Sequence, residues 1–355
     1  MNICEPDLSF ENVFKVNCLI GSICESLNVE AYLVGGFTRD CILGRPINDI
    51  DIVVSYKAKE IAELISTKLS GSYFLINSDH AIYRINIVYE SLMINIDIGE
   101  FDTSICEDLS KRDFTIDAIA VRLDSKFRGI EIDNLIDPYD GLDGIRNRVI
   151  QTVSSESFQD DPLRLLRCVR LHAELNFEIN KQTFEMLEGH FHKINQVSAE
   201  RVREEIFKIL SLSKTIDCLK VLDKVGLLTE LVPELEIARN ILQPKEHYWD
   251  VFEHSLNSAN MAGKIFEQST DFDFLQSNIP KFPEMDVYFN EKITDGQTRV
   301  TFLKFTALLH DIGKPASKTV DSSGKIRFLT HSEVGSDIAN DIMNRLRISK
   351  KGISI

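Results

Sequence analysis

At 355 residues and 43% hydrophobic content, the chain is long enough for two or three globular domains and is not expected to be disordered. Its formal net charge of −15 excludes a broad non-specific nucleic-acid surface, since Lys and Arg contacts to phosphate supply most of such binding; a small basic groove stays compatible with it. Seven scattered cysteines, never spaced as CxxC, predict reduced thiols and neither a disulfide framework nor a zinc ribbon. The acidic start MNICEPDLSFE has no basic segment followed by an apolar one, and no apolar run has the length of a membrane span, so a cytoplasmic protein with no membrane association is expected.

Apolar residues recur at helical spacing over 10–27, predicting a helix that leads into a strand at 31–34. There Leu33 and Val34 run into Gly35 and Gly36, a pair that permits positive φ and close backbone approach, so that successive N–H groups can turn toward an anion such as a triphosphate. Arg39 and Asp40 open a short helix ending at Gly44, and the chain returns in the alternating pattern of a strand over 48–53. Residues i and i+2 share a strand face, so Asp49 and Asp51 project together while Ile50 and Ile52 face the core. Two adjacent carboxylates repel unless a cation lies between them, and hard oxygen ligands suit Mg²⁺ carried by a nucleoside triphosphate. Either half alone reads as an ordinary turn or an edge strand; the order and proximity of the two make the reading specific.

Residues 33–54, with Gly-Gly, Arg-Asp and Asp-x-Asp at these intervals, resemble the signature of the class II tRNA nucleotidyltransferase and bacterial poly(A) polymerase family, a branch of the polymerase β superfamily. The resemblance implies an α+β protein: a polymerase β-like nucleotidyltransferase head with a mixed sheet and helices at 1–145, an all-helical neck and body at 146–240, and a helical HD domain at 245–355. A second helix is predicted over KAKEIAELISTKL, and strands over 73–89 and 92–98, making a sheet of four or five strands with helices on one side. Asp97, inside the apolar run MINIDIG, needs a partner and reads as a third carboxylate beside Asp49 and Asp51, the three together holding two Mg²⁺ ions as the catalytic set. DLSKRDFTIDAIAV over 108–121 resembles the family motif RRDFTxN, with Lys111 replacing the first Arg and Asp117 replacing the Asn. Lys111 and Arg112 can balance a triphosphate, and Asp113 can hold Arg112; residues 114–121 read as a buried strand. Gly35, Gly36, Arg39, Arg112 and Asp113 thus form the expected nucleotide cradle. IDPYDGLDG, rich in turn formers, closes the head, with Asp137 and Gly141 as structural hinge parts.

Helices follow at 162–175, 181–194, 199–210 and 216–231. The first begins QDDPLRLLRCVR, with Asp161 and Arg164 three apart on one face as an i,i+3 ion pair and Pro162 near the start. A carboxylate beside a guanidinium matches the amino donor and ring-nitrogen acceptor of cytosine and adenine, and refuses uracil and guanine. Asp160, Asp161, Arg164 and Arg167 also match the family motif EDxxRxxR, with Asp for Glu at the first position, and Arg167 is a candidate to orient Asp161. In SAERVREEIFKIL, Ser198 is an N-cap candidate lacking the reciprocal acid of a capping box, and Arg201 and Arg203 are candidates to face RNA.

DVFEHSLNSANM and TFLKFTALLHDIGKP bring His254, His310 and Asp311 into a pattern that resembles the HD phosphohydrolase signature, with His331 as a further ligand. Imidazole and carboxylate suit a divalent transition metal. The final Asp of that pattern is expected on a later helix, so the domain reads as cut short at Ile355, with Asp337 and Asp341 as the acids nearest that place. Residues 271–295, broken by Pro and without clear period, read as an insertion or loop. The resemblance implies a tRNA 3′-end nucleotidyltransferase that takes CTP and ATP, acts on tRNA with no DNA partner, and uses side chains as template. The rival readings are a poly(A) polymerase and an HD phosphohydrolase with a nucleotide-binding head. The short connection over 98–111 leaves little chain to drive a switch from CTP to ATP, which favours C addition.

Overall fold

The computed structural model describes residues 8–47, 49–77, 81–243, 248–266, 277–278, 280 and 282–355. Asn48, residues 78–80 of the predicted strand 73–89, residues 244–245 at the predicted linker, and 271–276, 279 and 281 of the predicted insertion lie outside them. The chain divides into two compact units, 1–157 with 178–183 and 158–177 with 184–355.

The first unit is built on a mixed sheet of β1 (Ala31–Leu33), β2 (Asp49–Val54), β3 (Ser72–Asn77), β4 (Ile82–Tyr89), β5 (Leu92–Glu100), β6 (Ala120–Arg122) and β7 (Leu135–Ile136), in the order β3-β4-β5-β2-β1-β6-β7. Only β2 and β5 run parallel. The sheet is larger than the expected four or five strands because the predicted 73–89 contains two strands, β3 and β4, and because β7 is too short to show alternation in sequence. Helices α1 (Leu8–Ser26) and α3 (Ala58–Lys68) share a core with Leu33, Ile50, Ile52, Ile94, Ile96 and Ile98, the apolar parity of the central strands. The opposite parity, Tyr32, Val34 and Val53, packs against Ile105 and Leu109 of α4 (Ile105–Ser110), so helices cover both faces and not one. Asp49, Asp51 and Asp97 belong to this second face.

The predicted buried strand over 114–121 is instead a 3₁₀ turn, Thr115–Asp117, followed by β6. Phe114 bridges to Thr152 and the Thr115 N–H is bonded to the Gln151 carbonyl, which draws this segment out of the sheet. Asp137 caps helix α5 (Gly141–Asn147): its Oδ1 accepts from the Gly141 N–H at 2.7 Å and its Oδ2 from Leu142 at 2.8 Å.

The second unit contains α7 (Arg164–Leu175) after the short α6 (Ser157–Asp160), then α8 (Lys181–His190), which enters it from the first unit, α9 (Ala199–Ser211), α10 (Thr215–Lys224), α11 (Leu227–Leu231), α12 (Pro233–Ile237) and α13 (Val251–Lys264). Helices Arg299–Leu309 and His331–Arg345 complete it. The helix predicted over 216–231 breaks at Gly226, and that over 181–194 tightens after His190 into the 3₁₀ turn Phe191–Gln196. Phe207 of α9 packs on Phe302 and Phe305, ring centroids 5.1 and 5.7 Å away. Lys304, only 3% exposed, donates to the Leu212 carbonyl at 2.8 Å and to Thr215 Oγ1 at 3.0 Å, satisfying groups where α9 ends. Among the described residues no helix is long and apolar enough to cross a membrane.

Gly141 lies against the Thr115–Asp117 turn so closely that a Cβ there would fall 2.1 Å from the Thr115 carbonyl oxygen, a backbone atom that cannot swing aside. Gly141→Ala should therefore destabilise the protein by about 1–3 kcal/mol. Gly189→Ala, with nothing within 4 Å of its Cβ, should be neutral or slightly stabilising. Urea denaturation of the two variants checks the contrast.

Candidate active site and metal centre

Helix α2 (Gly35–Leu43) begins at the Gly pair itself, and not after it at Arg39 as the sequence suggests. Val34 in the N-cap position supplies no side-chain bond, which leaves the first N–H groups of a nine-residue helix unclaimed by a cap. Gly35 has φ +67°, and a Cβ on it would meet Arg112 Nη1 at 2.9 Å and Asp51 Oδ2 at 3.0 Å. A helix N-terminus, a guanidinium and a carboxylate thus converge where only glycine fits.

In the parallel β2–β5 pairing, Asp51 lies opposite Asp97 and Asp49 opposite Asn95. The three predicted carboxylates share one face, but neighbours hold two of them apart. Arg84 donates from Nε to Asp97 Oδ1 at 2.7 Å and from Nη2 to Oδ2 at 2.6 Å, while Asn95 Nδ2 donates to Asp49 Oδ1 at 2.8 Å. Burial pushes the Asp51 carboxyl up, Arg112 draws it down, and Asp97, Asp49 and Asp117 push it up again, leaving it at about 6. A buried acid with two further carboxylates on the same sheet face fits a hard divalent cation, and the all-oxygen donor set suits Mg²⁺ better than a softer metal.

Arg112 is fixed by Asp108, Nε to Oδ2 at 3.1 Å and Nη2 to the same oxygen at 2.9 Å. Asp113, expected to hold it, instead accepts the Phe114 N–H on Oδ1 at 3.0 Å. Lys111 is exposed and pairs with Asp102 at 3.0 Å and Glu107 at 3.4 Å. Arg39 is buried under Gly36, forked onto Asp40 with two 3.0 Å bonds and joined to Asp117 Oδ1 at 2.6 Å. Asp117, the residue that departs from the family motif, therefore serves the loop through Arg39. The substitution was visible in sequence, but its partner was not.

In the second unit the expected ion pair between Asp161 and Arg164 does not form. Asp161 precedes α7 by one turn, accepting the Leu163 N–H on Oδ1 at 3.1 Å, while Arg164 is the first residue of the helix. Both Asp161 oxygens are taken by Arg201 of α9, at 3.2 and 2.7 Å. Arg201 was readable only as a candidate for RNA, because its pairing spans 40 residues of chain. Arg203 turns to the Arg347 carbonyl and lies 3.9 Å from Asp295. Arg167 is not among the partners of Asp161; its charge, with those of Arg170 and Lys208, holds the buried Glu205 below the usual carboxylate range despite desolvation.

His254 on α13, His310 at the end of helix Arg299–Leu309, and Asp311 bring one ligand atom each within 4.8 Å of one another, the cluster of this kind found among the described residues. Asp311 Oδ2 lies 3.0 Å from His310 Nε2, 3.3 Å from His254 Nε2 and 2.7 Å from Lys314 Nζ. His331 is more distant, 3.9 Å from Oδ1. Burial opposes the ionised form of Asp311, yet His310 and Lys314 hold its carboxyl well below its usual range, and Asp311 in turn raises His310. Two imidazoles and a carboxylate fit a divalent transition metal. Asp337 and Asp341 are exposed and outside the cluster.

A family model described as the poly A polymerase head domain matches residues 31–151. The head is a poly A polymerase head domain. Behind it, a model described as a probable RNA and SrmB-binding site of polymerase A matches 176–238, and an HD domain model matches 251–352. The chain is similar to the CC-adding tRNA nucleotidyltransferase of Thermus thermophilus, 29% identical over 91% of this chain and 65% of the relative. It is also similar to a CCA-adding enzyme of Bacillus cereus, 30% identical over 67% of this chain and 61% of the relative. The chain thus spans less than two thirds of the length of these relatives. A solved tRNA-processing enzyme in an apo form shares the fold with a TM-score of 0.66 at 20% identity, covering 100% of this chain and 78% of that one.

The shifted carboxyl in the poly A polymerase head makes a prediction about metal-free protein. Between its ordinary value of 3.8 and about 6, native Asp51 keeps a proton that the unfolded chain has released, so stability falls as pH rises through that window. Asp51→Asn should stabilise the protein at pH 7 by up to about 3 kcal/mol, and the gain should fade toward pH 4. Equal gains at both pH values in thermal unfolding would contradict the shift.

Proposed function

We propose that this chain is a tRNA 3′-end nucleotidyltransferase that adds C, and to a lesser extent A, from CTP and ATP, using protein side chains in place of a nucleic-acid template. The observation that carries this reading is the meeting of the α2 N-terminus, Arg112 and Asp51 at Gly35. The N–H groups of Gly35 and Gly36 cradle the triphosphate, Arg112 balances its charge, and Asp40 and Asp117 keep Arg39 in place under the loop. Asp49, Asp51 and Asp97 would hold Mg²⁺. When bound, Mg²⁺ supplies activation of the tRNA 3′-hydroxyl and charge relief for the departing pyrophosphate in an in-line displacement at the α-phosphate. The chain's own residues bring donors and acceptors to the nucleotide, and no covalent enzyme intermediate is needed.

Asp161 and Arg164 read the base edge, and Arg201 fixes the orientation of the Asp161 carboxylate while leaving lone pairs for the amino group of cytosine or adenine. A mismatched base strands buried polar groups, which is the source of discrimination. The free thiols of Cys18, Cys24, Cys41, Cys106, Cys168 and Cys218 accord with a cytoplasmic protein. The tight His254, His310 and Asp311 cluster favours a second activity, phosphohydrolysis with a transition metal held by these side chains.

One experiment separates the readings: purified protein is offered each NTP singly with tRNA ending at the discriminator base, with an unrelated RNA, and with cyclic phosphates. Long A tails on any RNA would make it a poly(A) polymerase, and hydrolysis without extension a phosphohydrolase. Asp51→Ala should abolish CMP incorporation while tRNA binding persists; incorporation near the wild-type rate would sink the metal assignment. Arg201→Ala should relax the choice between CTP and UTP as Asp161→Ala does, whereas Arg203→Ala should not, and unaltered discrimination in Arg201→Ala would remove it from the template. With tRNA ending in CC and ATP alone, addition of A should be weak; efficient addition overturns the preference for C.

A further inference from the structure

Arg84 belongs to none of the motifs that mark the head, yet it lies directly opposite Asp97 in the antiparallel β4–β5 pairing, and Asp97 lies opposite Asp51 in the parallel β5–β2 pairing. Arg84, Asp97 and Asp51 therefore form a row across three adjacent strands on one face of the sheet. The Arg84 fork bonds both oxygens of Asp97, at 2.7 and 2.6 Å. The pair is only partly exposed, 40% for the Arg84 side chain and 24% for Asp97, and the charge of Arg84 is further favoured by Asp49 and Asp51.

We propose that Arg84 is a cationic latch on the third carboxylate: a divalent cation must compete with the Arg84 fork for Asp97, so this residue sets the metal affinity of the head. The inference rests on the reading of Asp49, Asp51 and Asp97 as a cation site. A planar guanidinium bonded to both oxygens takes one lone pair on each, the two that a bidentate cation would use, and offsets the carboxylate charge that attracts a metal. A cation shared by Asp51 and Asp97 would also meet the positive charge of Arg84 one strand away, so the guanidinium and the metal compete for Asp97. Once released, the guanidinium stays on the face that carries the acids, where a phosphate-bearing substrate is its available partner. Arg84 acts here as a positioning residue: it governs whether Asp97 is free to bind.

The test is a Mn²⁺ titration without nucleotide, reading free Mn²⁺ by electron paramagnetic resonance, in a His254→Ala, His310→Ala background so that the HD cluster does not contribute. Arg84→Met should bind Mn²⁺ about three- to ten-fold tighter than the parent. Arg84→Lys keeps the charge and loses the fork; it should also bind tighter, by a smaller factor. The gain should vanish when Asp97→Asn is added to Arg84→Met. A Lys variant equal to the parent would reduce the effect to net charge and overturn the latch, as would a gain that survives Asp97→Asn or weaker binding in Arg84→Met. Absence of head-site Mn²⁺ binding in the parent and in every Arg84 variant would instead overturn the cation-site reading on which the latch depends.

Discussion

Mutual repulsion among acids on one sheet face is the constraint around which the head is arranged. Asp49, Asp51 and Asp97 stand on the outward parity of β2 and β5, whose inward parity is Ile50, Ile52, Ile96 and Ile98, so none can turn away without exposing the core. Each acid is answered differently: Asp97 by the Arg84 fork, Asp49 by the Asn95 amide, and Asp51 by the approach of Arg112. Burial, with the charges of Asp97, Asp49 and Asp117, raises the Asp51 carboxyl to about 6 despite Arg112. Strain of this kind is relieved by a cation, which is why the same arrangement that costs stability suits a metal-dependent transfer.

The Gly pair belongs to this electrostatic problem as much as to backbone geometry. Gly35 lets Asp51 and Arg112 approach the same point, and the helix that starts there places its positive end beside the acids. Beneath it, Arg39 is held between Asp40 and Asp117, so the first turn of α2 rests on a buried three-member charge cluster. In a partly desolvated setting such a cluster is directional, and it keeps the loop in one conformation.

The helical unit uses long-range ion pairs for the same purpose. Arg201 reaches Asp161 from α9, Arg170 and Lys208 converge on Glu205, and Arg345 forks onto Glu234 with two 2.9 Å bonds. In the HD cluster Asp311 gathers two imidazoles and the Lys314 ammonium, with Gln243 accepting from Lys314 at 2.6 Å. Lys314 therefore competes with any metal for the same carboxylate oxygen.

Local pattern by itself determined the strands β1, β2 and β5, the shared face of Asp49 and Asp51, and the adjacent pair His310 and Asp311 at the end of an apolar helix. These rest on period-2 alternation and on neighbouring residues, both of which are written within a few positions. Tertiary structure alone decided which charges meet. Arg84 joins Asp97 across a strand pairing, Asp117 meets Arg39 over 78 residues, and Arg201 replaces Arg164 as the partner of Asp161 over 40. It also decided that 114–121 turns before it becomes a strand, because the bonds to Gln151 and Thr152 come from a later segment. Ion-pair choice depends on distance in space, and sequence spacing reports that distance only within one helix or one strand.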